Sequence, residues 1–97
     1  MKFNVVIEPR ALRDIQDAIN YYDEQQVGLG EKFKRAFDKH ISYLYKNPFF
    51  QITYSDYRAL PVKNFPFIIL FYIDENTKTV FVSAVFNTYQ DINKYPK

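Results

Sequence analysis

The order of its apolar patterns most constrains what this chain can fold into. One strand-like segment at Met1 to Glu8 runs straight into a helical pattern, a second helical pattern follows, and the regular strand patterns all come after residue 56. Lys2 to Ile7 alternates poorly but is rich in Phe, Val and Ile, which suits a short strand packed on at least one face. Pro9 then takes the first helical position, where its missing N–H costs nothing. Leu12, Ile15, Ile19 and Tyr22 recur at spacings of three, four and three. They make one apolar stripe on a helix whose other face carries Arg10, Arg13, Asp17 and Asn20.

The chain's two glycines, Gly28 and Gly30, fall together and end that helix in a turn. Leu29, Phe33, Phe37, Ile41 and Leu44 predict a second amphipathic helix, with Ala36 and His40 beside the stripe, until Asn47-Pro48 stops it. The two helices form an antiparallel hairpin, each about 24 Å long at 1.5 Å per residue, enough to cover one face of a small sheet. Leu12, Ile15, Ile19, Phe33, Phe37 and Ile41 are expected at the seam with that sheet.

Phe49 to Asp56 reads as loop or irregular strand. Tyr57 to Lys63 reads as a strand in which Arg58, Leu60 and Val62 share a face, and Pro61 places it at a sheet edge. Phe67 to Ile73 is apolar throughout, the pattern of a central strand covered on both faces. Asp74 to Lys78 is a hairpin loop, and Thr79 to Phe86 is its partner strand. The helix hairpin returns the chain to the end it left, so the strand at Tyr57 is expected to run antiparallel to the first. The outcome is an α+β fold of order β-α-α-β-β-β, a mostly antiparallel four-stranded sheet with the helical hairpin on one face, in one domain over residues 1–97.

Composition narrows the chemistry. Without cysteine there are no disulfides, no thiol catalysis and no Cys-ligated zinc, and the single histidine, His40, leaves no His-based metal site, so no metal or cofactor is expected. A net charge of +2 permits an acidic partner or nucleic acid but supplies no strong basic stripe. The N-terminal apolar stretch is too short for a signal peptide and Phe65 to Ile73 is too short to span a bilayer, so a cytoplasmic protein without membrane contact is expected. Ten Phe and nine Tyr exceed what so small a core must hold, which leaves aromatic surface for a groove or a partner.

Pro9 and Ala11 at the helix start, Asp14-Ile15, the Tyr21-Tyr22 pair, the helix end from Leu44 to Pro48, Tyr57-Arg58, Phe65-Pro66-Phe67-Ile68, Phe71-Tyr72-Ile73-Asp74 and Ala84-Val85-Phe86 stand in an order and spacing that resembles the RelE/ParE-type toxins of type II toxin–antitoxin modules. The resemblance implies a toxin subunit whose partner is a cognate antitoxin. Its target would be DNA gyrase in ParE-like members, which block it by binding, or the ribosome and its messenger RNA in RelE-like members, which cut the message.

Cleavage by 2′-hydroxyl attack needs a proton acceptor, a proton donor for the leaving oxygen and a cation near the phosphate. Arg58 and Lys63 are the candidate cations and Tyr89 the candidate proton donor. Where many relatives resemble His-x-x-Arg, this chain has Asn87-Thr88-Tyr89-Gln90, so proton transfer and charge are both depleted there. That depletion favours the ParE-like reading over an endoribonuclease. An inactivated relative retained as an antitoxin-binding protein is a third possibility. Phe67, Tyr72, Asn87 and Gln90 are the candidate target- or partner-binding residues. Against these roles, Arg58 reads also as a structural residue, Lys63 as the polar face before a turn and His40 as a half-buried packing residue.

Overall fold

Each regular element forms where local chemistry favours it, in a computed structural model that describes residues 2–50, 52–54 (as backbone) and 56–88. The order is β1 (Asn4–Ile7), α1 (Pro9–Gln25), α2 (Leu29–Lys46), β2 (Ile52–Tyr54), β3 (Tyr57–Val62), β4 (Phe67–Asp74) and β5 (Thr79–Asn87). Pro9 opens α1 as expected, and Gly28, at φ 89°, makes the left-handed turn into α2. Gly30 lies inside α2 rather than in the turn. The β4–β5 loop is tightened by the Asp74 carboxylate, which accepts the Asn76 N–H at 3.0 Å.

The strands lie in the order β1-β5-β4-β3-β2. β1 pairs parallel with β5, Asn4 opposite Thr79 through Ile7 opposite Val82, and the other neighbours are antiparallel. The predicted α+β order and mostly antiparallel sheet are therefore observed, with short β2 added where loop or irregular strand was expected. The predicted direction of the Tyr57 strand is corrected. The chain reverses through β2, so β3 runs the same way as β1. The expected edge position of the Tyr57 strand is also corrected, because β2 lies outside β3, although among the described residues its pairing reaches only Tyr57 and Arg58 and stops short of Pro61.

Both helices pack on one face of the sheet. Phe33, Phe37 and Leu44 of α2 are at most 1% exposed, over Ile69 and Phe71 of β4 and Val80 and Val82 of β5. Phe33 centres an aromatic cluster, with ring centroids 5.5 Å from Tyr22, 5.3 Å from Phe65 and 5.1 Å from Phe67. In α1 the expected stripe is shifted at its start: Leu12 is 54% exposed, whereas Ile15 is buried as expected, Ile19 and Tyr22 pack partly buried against the core, and Ala11 and Ala18 are buried beside them. Two alanines one turn either side of Ile15 bring that helix closer to β5 than a leucine would allow.

His40 is buried rather than half-buried, at 8% exposure. Its Nδ1 lies 2.6 Å from the Ala36 carbonyl and its Nε2 3.2 Å from the Lys63 backbone nitrogen. Nδ1–H therefore donates to the carbonyl while Nε2 accepts the Lys63 N–H.

The opposite face of the sheet holds a smaller cluster of Leu70, Ala84 and Phe86, flanked by Tyr57, Ala59 and Ile68. Leu70 pairs with Ala84 and Phe71 with Val82, so Ser83 is an extra residue in β5. This bulge lets Val82 and Val85 both face the helices.

Candidate functional site

β1 covers the outer edge of β5 only as far as Val82. Beyond it the first turns of α1 approach that edge, and a groove of about 260 Å³ opens between them, lined by Arg10, Asp14, Asp17, Tyr21, Phe67 and Asn87 among others. The small side chains of Ala11 and Ala18 permit the approach, and Asp14 exploits it. Its Oδ2 accepts the Val85 N–H at 2.9 Å, so a side chain satisfies a strand-edge donor that a neighbouring strand would otherwise take. Arg10 Nε lies 4.0 Å from the same oxygen, and its guanidinium sits 4.8 Å over the Phe86 ring.

Burial pushes the Asp14 carboxyl above its ordinary 3.8, against the opposing pull of the Val85 N–H and then of Arg10. A raised carboxyl favours folding most when protonated, so its contribution is fully present below the unfolded value and is lost as pH rises through the folded one. Asp14→Asn keeps an acceptor for Val85 and removes the charge. The variant is expected to be more stable than the parent at pH 7 and to lose that advantage below about pH 4, the unfolded carboxylate range. Urea unfolding at pH 3.5 and pH 7 measures this; a variant weaker at pH 7 would mean that the Val85 bond needs the full charge.

The sequence-predicted residues divide among separate places. Phe67 and Asn87 both border the groove, although Phe67 is only 8% exposed and belongs mainly to the core. Tyr72 lies on the opposite face of the sheet, stacked on Phe81. Arg58 turns toward the helix side: it donates to the Phe50 carbonyl at 2.5 Å and lies 5.5 Å over the Phe49 ring, tying the segment after α2 to β3. Lys63 is exposed just past the other end of β3. Five residues of strand separate the two cations by roughly 17 Å at 3.3 Å per residue, too far to meet on one phosphate. Tyr89 and Gln90 lie outside the described residues.

Asp14, like Arg10, Asp17 and Tyr21, is a groove residue to which sequence reasoning assigned no site role. Its one visible signal is the spacing of four from Arg10 on the side of α1 that carries Ala11 and Ala18. Glu8, which precedes α1, makes no side-chain cap bond and instead accepts the Ser83 hydroxyl at 2.8 Å.

Comparison with known proteins places this geometry. The family model described as ParE toxin of type II toxin–antitoxin system, parDE, matches residues 5–92. No curated protein matches the chain. Among solved structures, the chromosomal ParDE toxin–antitoxin system from P. aeruginosa is similar at a TM-score of 0.77 and 13% identity, over 89% of this chain and 96% of that one. The RelBE2 toxin–antitoxin complex from Mycobacterium tuberculosis is similar at 0.67 and 15% identity, over 90% and 99%. A mutant of the E. coli toxin RelE in its free state is similar at 0.68 and 14% identity, over 92% and 86%. At these identities the structural likeness speaks for the fold. Among the described residues, no helix is long and apolar enough to cross a membrane.

Proposed function

The chain belongs to the ParE toxin family of type II toxin–antitoxin systems, and from that premise we propose that it arrests growth by binding a macromolecular target, DNA gyrase, and that a cognate antitoxin neutralises it. The observation that carries the binding reading is the dispersal of charge. Arg58 is spent on the Phe50 carbonyl and the Phe49 ring, and Lys63 stands at the far end of β3. A phosphate in an RNA-cleaving transition state needs its cation and its proton-transfer groups at one point. Asn87, at the end of β5, cannot transfer a proton at neutral pH.

The α1–β5 groove supports the antitoxin part of the proposal. It offers an apolar floor at Phe67, polar walls at Asp14, Asp17 and Asn87, and a strand edge held by one side chain, features that suit capture of a partner segment. Maintenance of a plasmid that carries the pair would follow from such a module.

The test combines a supercoiling assay on purified gyrase with primer extension on messenger RNA after induction of the chain. Inhibited supercoiling, relieved by the product of the neighbouring gene, with uncut transcripts, is the expected result. Arg58→Ala should then lower stability by about 1.5–3 kcal/mol, as loss of a hydrogen bond from a charged group, and leave the transcript pattern unchanged. Codon-phased cuts that vanish in that variant would establish the endoribonuclease reading instead. Antitoxin binding with neither effect would mark an inactivated relative.

A further inference from the structure

The sheet face turned away from the helices carries a second feature, separate from the α1–β5 groove and independent of the gyrase reading. Four strands each bring one side chain into a row: Val6 opposite Phe81, Phe81 opposite Tyr72, and Tyr72 beside Tyr57. The Tyr72 ring stacks on Phe81 with centroids 5.1 Å apart and planes 17° from parallel, and Tyr57 meets Tyr72 edge-on at 5.8 Å and 85°. Val6 is 44% exposed and the three rings are half-buried, so the row is a preformed aromatic surface open to a partner.

Beside it opens a cavity of about 620 Å³, lined by Tyr57, Tyr72, Glu8, Asp56, Glu75 and Arg58 among others. Glu8 is oriented there by its neighbours. Its carboxylate accepts the Ser83 hydroxyl at 2.8 Å, and that bond holds it in the same lining as the Tyr72 ring. Asp56 and Glu75 stand exposed at the rim. Arg58, the cation in this lining, has its guanidinium engaged by Phe50 and Phe49. Three carboxylates thus surround two tyrosine rings.

We propose that this tyrosine-walled cavity receives an arginine side chain presented by a basic segment of a partner protein. A guanidinium is planar, stacks on tyrosine faces and pairs its fork of donors with carboxylates, so both halves of the lining act on one group. A nucleic acid would present its phosphates to the same carboxylates and be repelled. A neutral apolar segment would cover the rings but leave the cavity's carboxylates desolvated and without a counter-charge.

Titration of the isotopically labelled chain with a short glycine-flanked arginine peptide, followed by NMR, tests this directly. The backbone amides of Tyr57, Tyr72 and Ser83 are expected to shift. The same peptide with citrulline, which keeps the shape and removes the charge, should bind roughly tenfold more weakly, equivalent to about 1.4 kcal/mol. Glu8→Gln, which keeps an acceptor for Ser83, and Glu75→Gln, in an exposed turn, should each weaken the arginine peptide and leave the remaining spectrum in place. Equal binding of the citrulline peptide, shifts confined to other surfaces, or no shifts at all would overturn the proposal. Movement of the same three amides by a single-stranded oligonucleotide would overturn it in favour of a nucleic-acid surface.

Discussion

Replacing Phe33 with alanine is expected to destabilise the protein by about 3–5 kcal/mol, the range for truncating a large buried aromatic side chain. Phe33 is fully buried, and its ring is the point where α1, α2 and the turn before β4 meet, through Tyr22, Phe65 and Phe67. Those three rings are held by elements that the backbone fixes elsewhere, so they cannot collapse into the space, and a cavity term adds to the lost transfer free energy. Against a total of roughly 5–15 kcal/mol for a domain, the variant would stand near the edge of folding. Urea unfolding reads the cost, and Leu12→Ala serves as the internal control. Leu12 was expected at the helix–sheet seam but is 54% exposed, so its truncation should cost under about 0.5 kcal/mol, as for a surface substitution. A Phe33 cost below about 1 kcal/mol, or a Leu12 cost above it, would contradict the observed phase of the two helices.

That contrast shows what periodicity conveys and where it stops. In α2 the large residues are the buried residues, because Phe33, Phe37, Ile41 and Leu44 span the full gap to the sheet, and counting apolar positions finds the right face. In α1 the helix lies close, the gap is filled by Ala11 and Ala18, and an apolar count is drawn to Leu12 one position away. The parallel pairing of β1 with β5 joins residues about 75 apart in sequence. Local pattern carries no information on such a pairing, and the short β2 that reverses the chain was too irregular to count as a strand.

The candidate site follows the same division. Alternation correctly puts Arg58 on one face with Leu60 and Val62, and both of those are core residues. A cation in that phase must turn to the nearest carbonyl or ring, which is what Phe50 and Phe49 provide. The strand phase therefore accounts for where the Arg58 guanidinium lies. Asp14 and Glu8 draw their roles from partners 71 and 75 residues away, Val85 and Ser83, and no local signal names those partners. Tyr72 was singled out for binding on the strength of the motif around it. The structure places it at the wall of an acidic aromatic cavity, remote from the groove that Phe67 and Asn87 border.

Gly30→Ala is expected to destabilise the protein by about 1–3 kcal/mol or more, the usual cost of overpacking, even though alanine is the better helix former by roughly 1 kcal/mol. A Cβ at Gly30 would lie 2.5 Å from the Ile19 carbonyl oxygen and 2.7 Å from Asp23 Oδ1, the atom that accepts the Gly30 N–H at 2.9 Å. The Asp23 side chain is able to swing away, but the Ile19 oxygen belongs to the α1 backbone, so the helices must separate. Gly28 provides the comparison: nothing lies within 4 Å of a Cβ there, and its φ of 89° makes Gly28→Ala a test of backbone strain alone, about 1–2 kcal/mol. Adding Asp23→Ala to Gly30→Ala should recover only part of the loss, because the carbonyl contact remains. The consequence reaches the groove, since the distance between α1 and α2 sets how α1 lies over β5. A displaced α1 withdraws Asp14 from Val85, so amide exchange at Val85 should accelerate in Gly30→Ala and stay unchanged in Gly28→Ala. Equal acceleration in both would mean that Asp14 is positioned by the turn rather than by the close contact of the two helices.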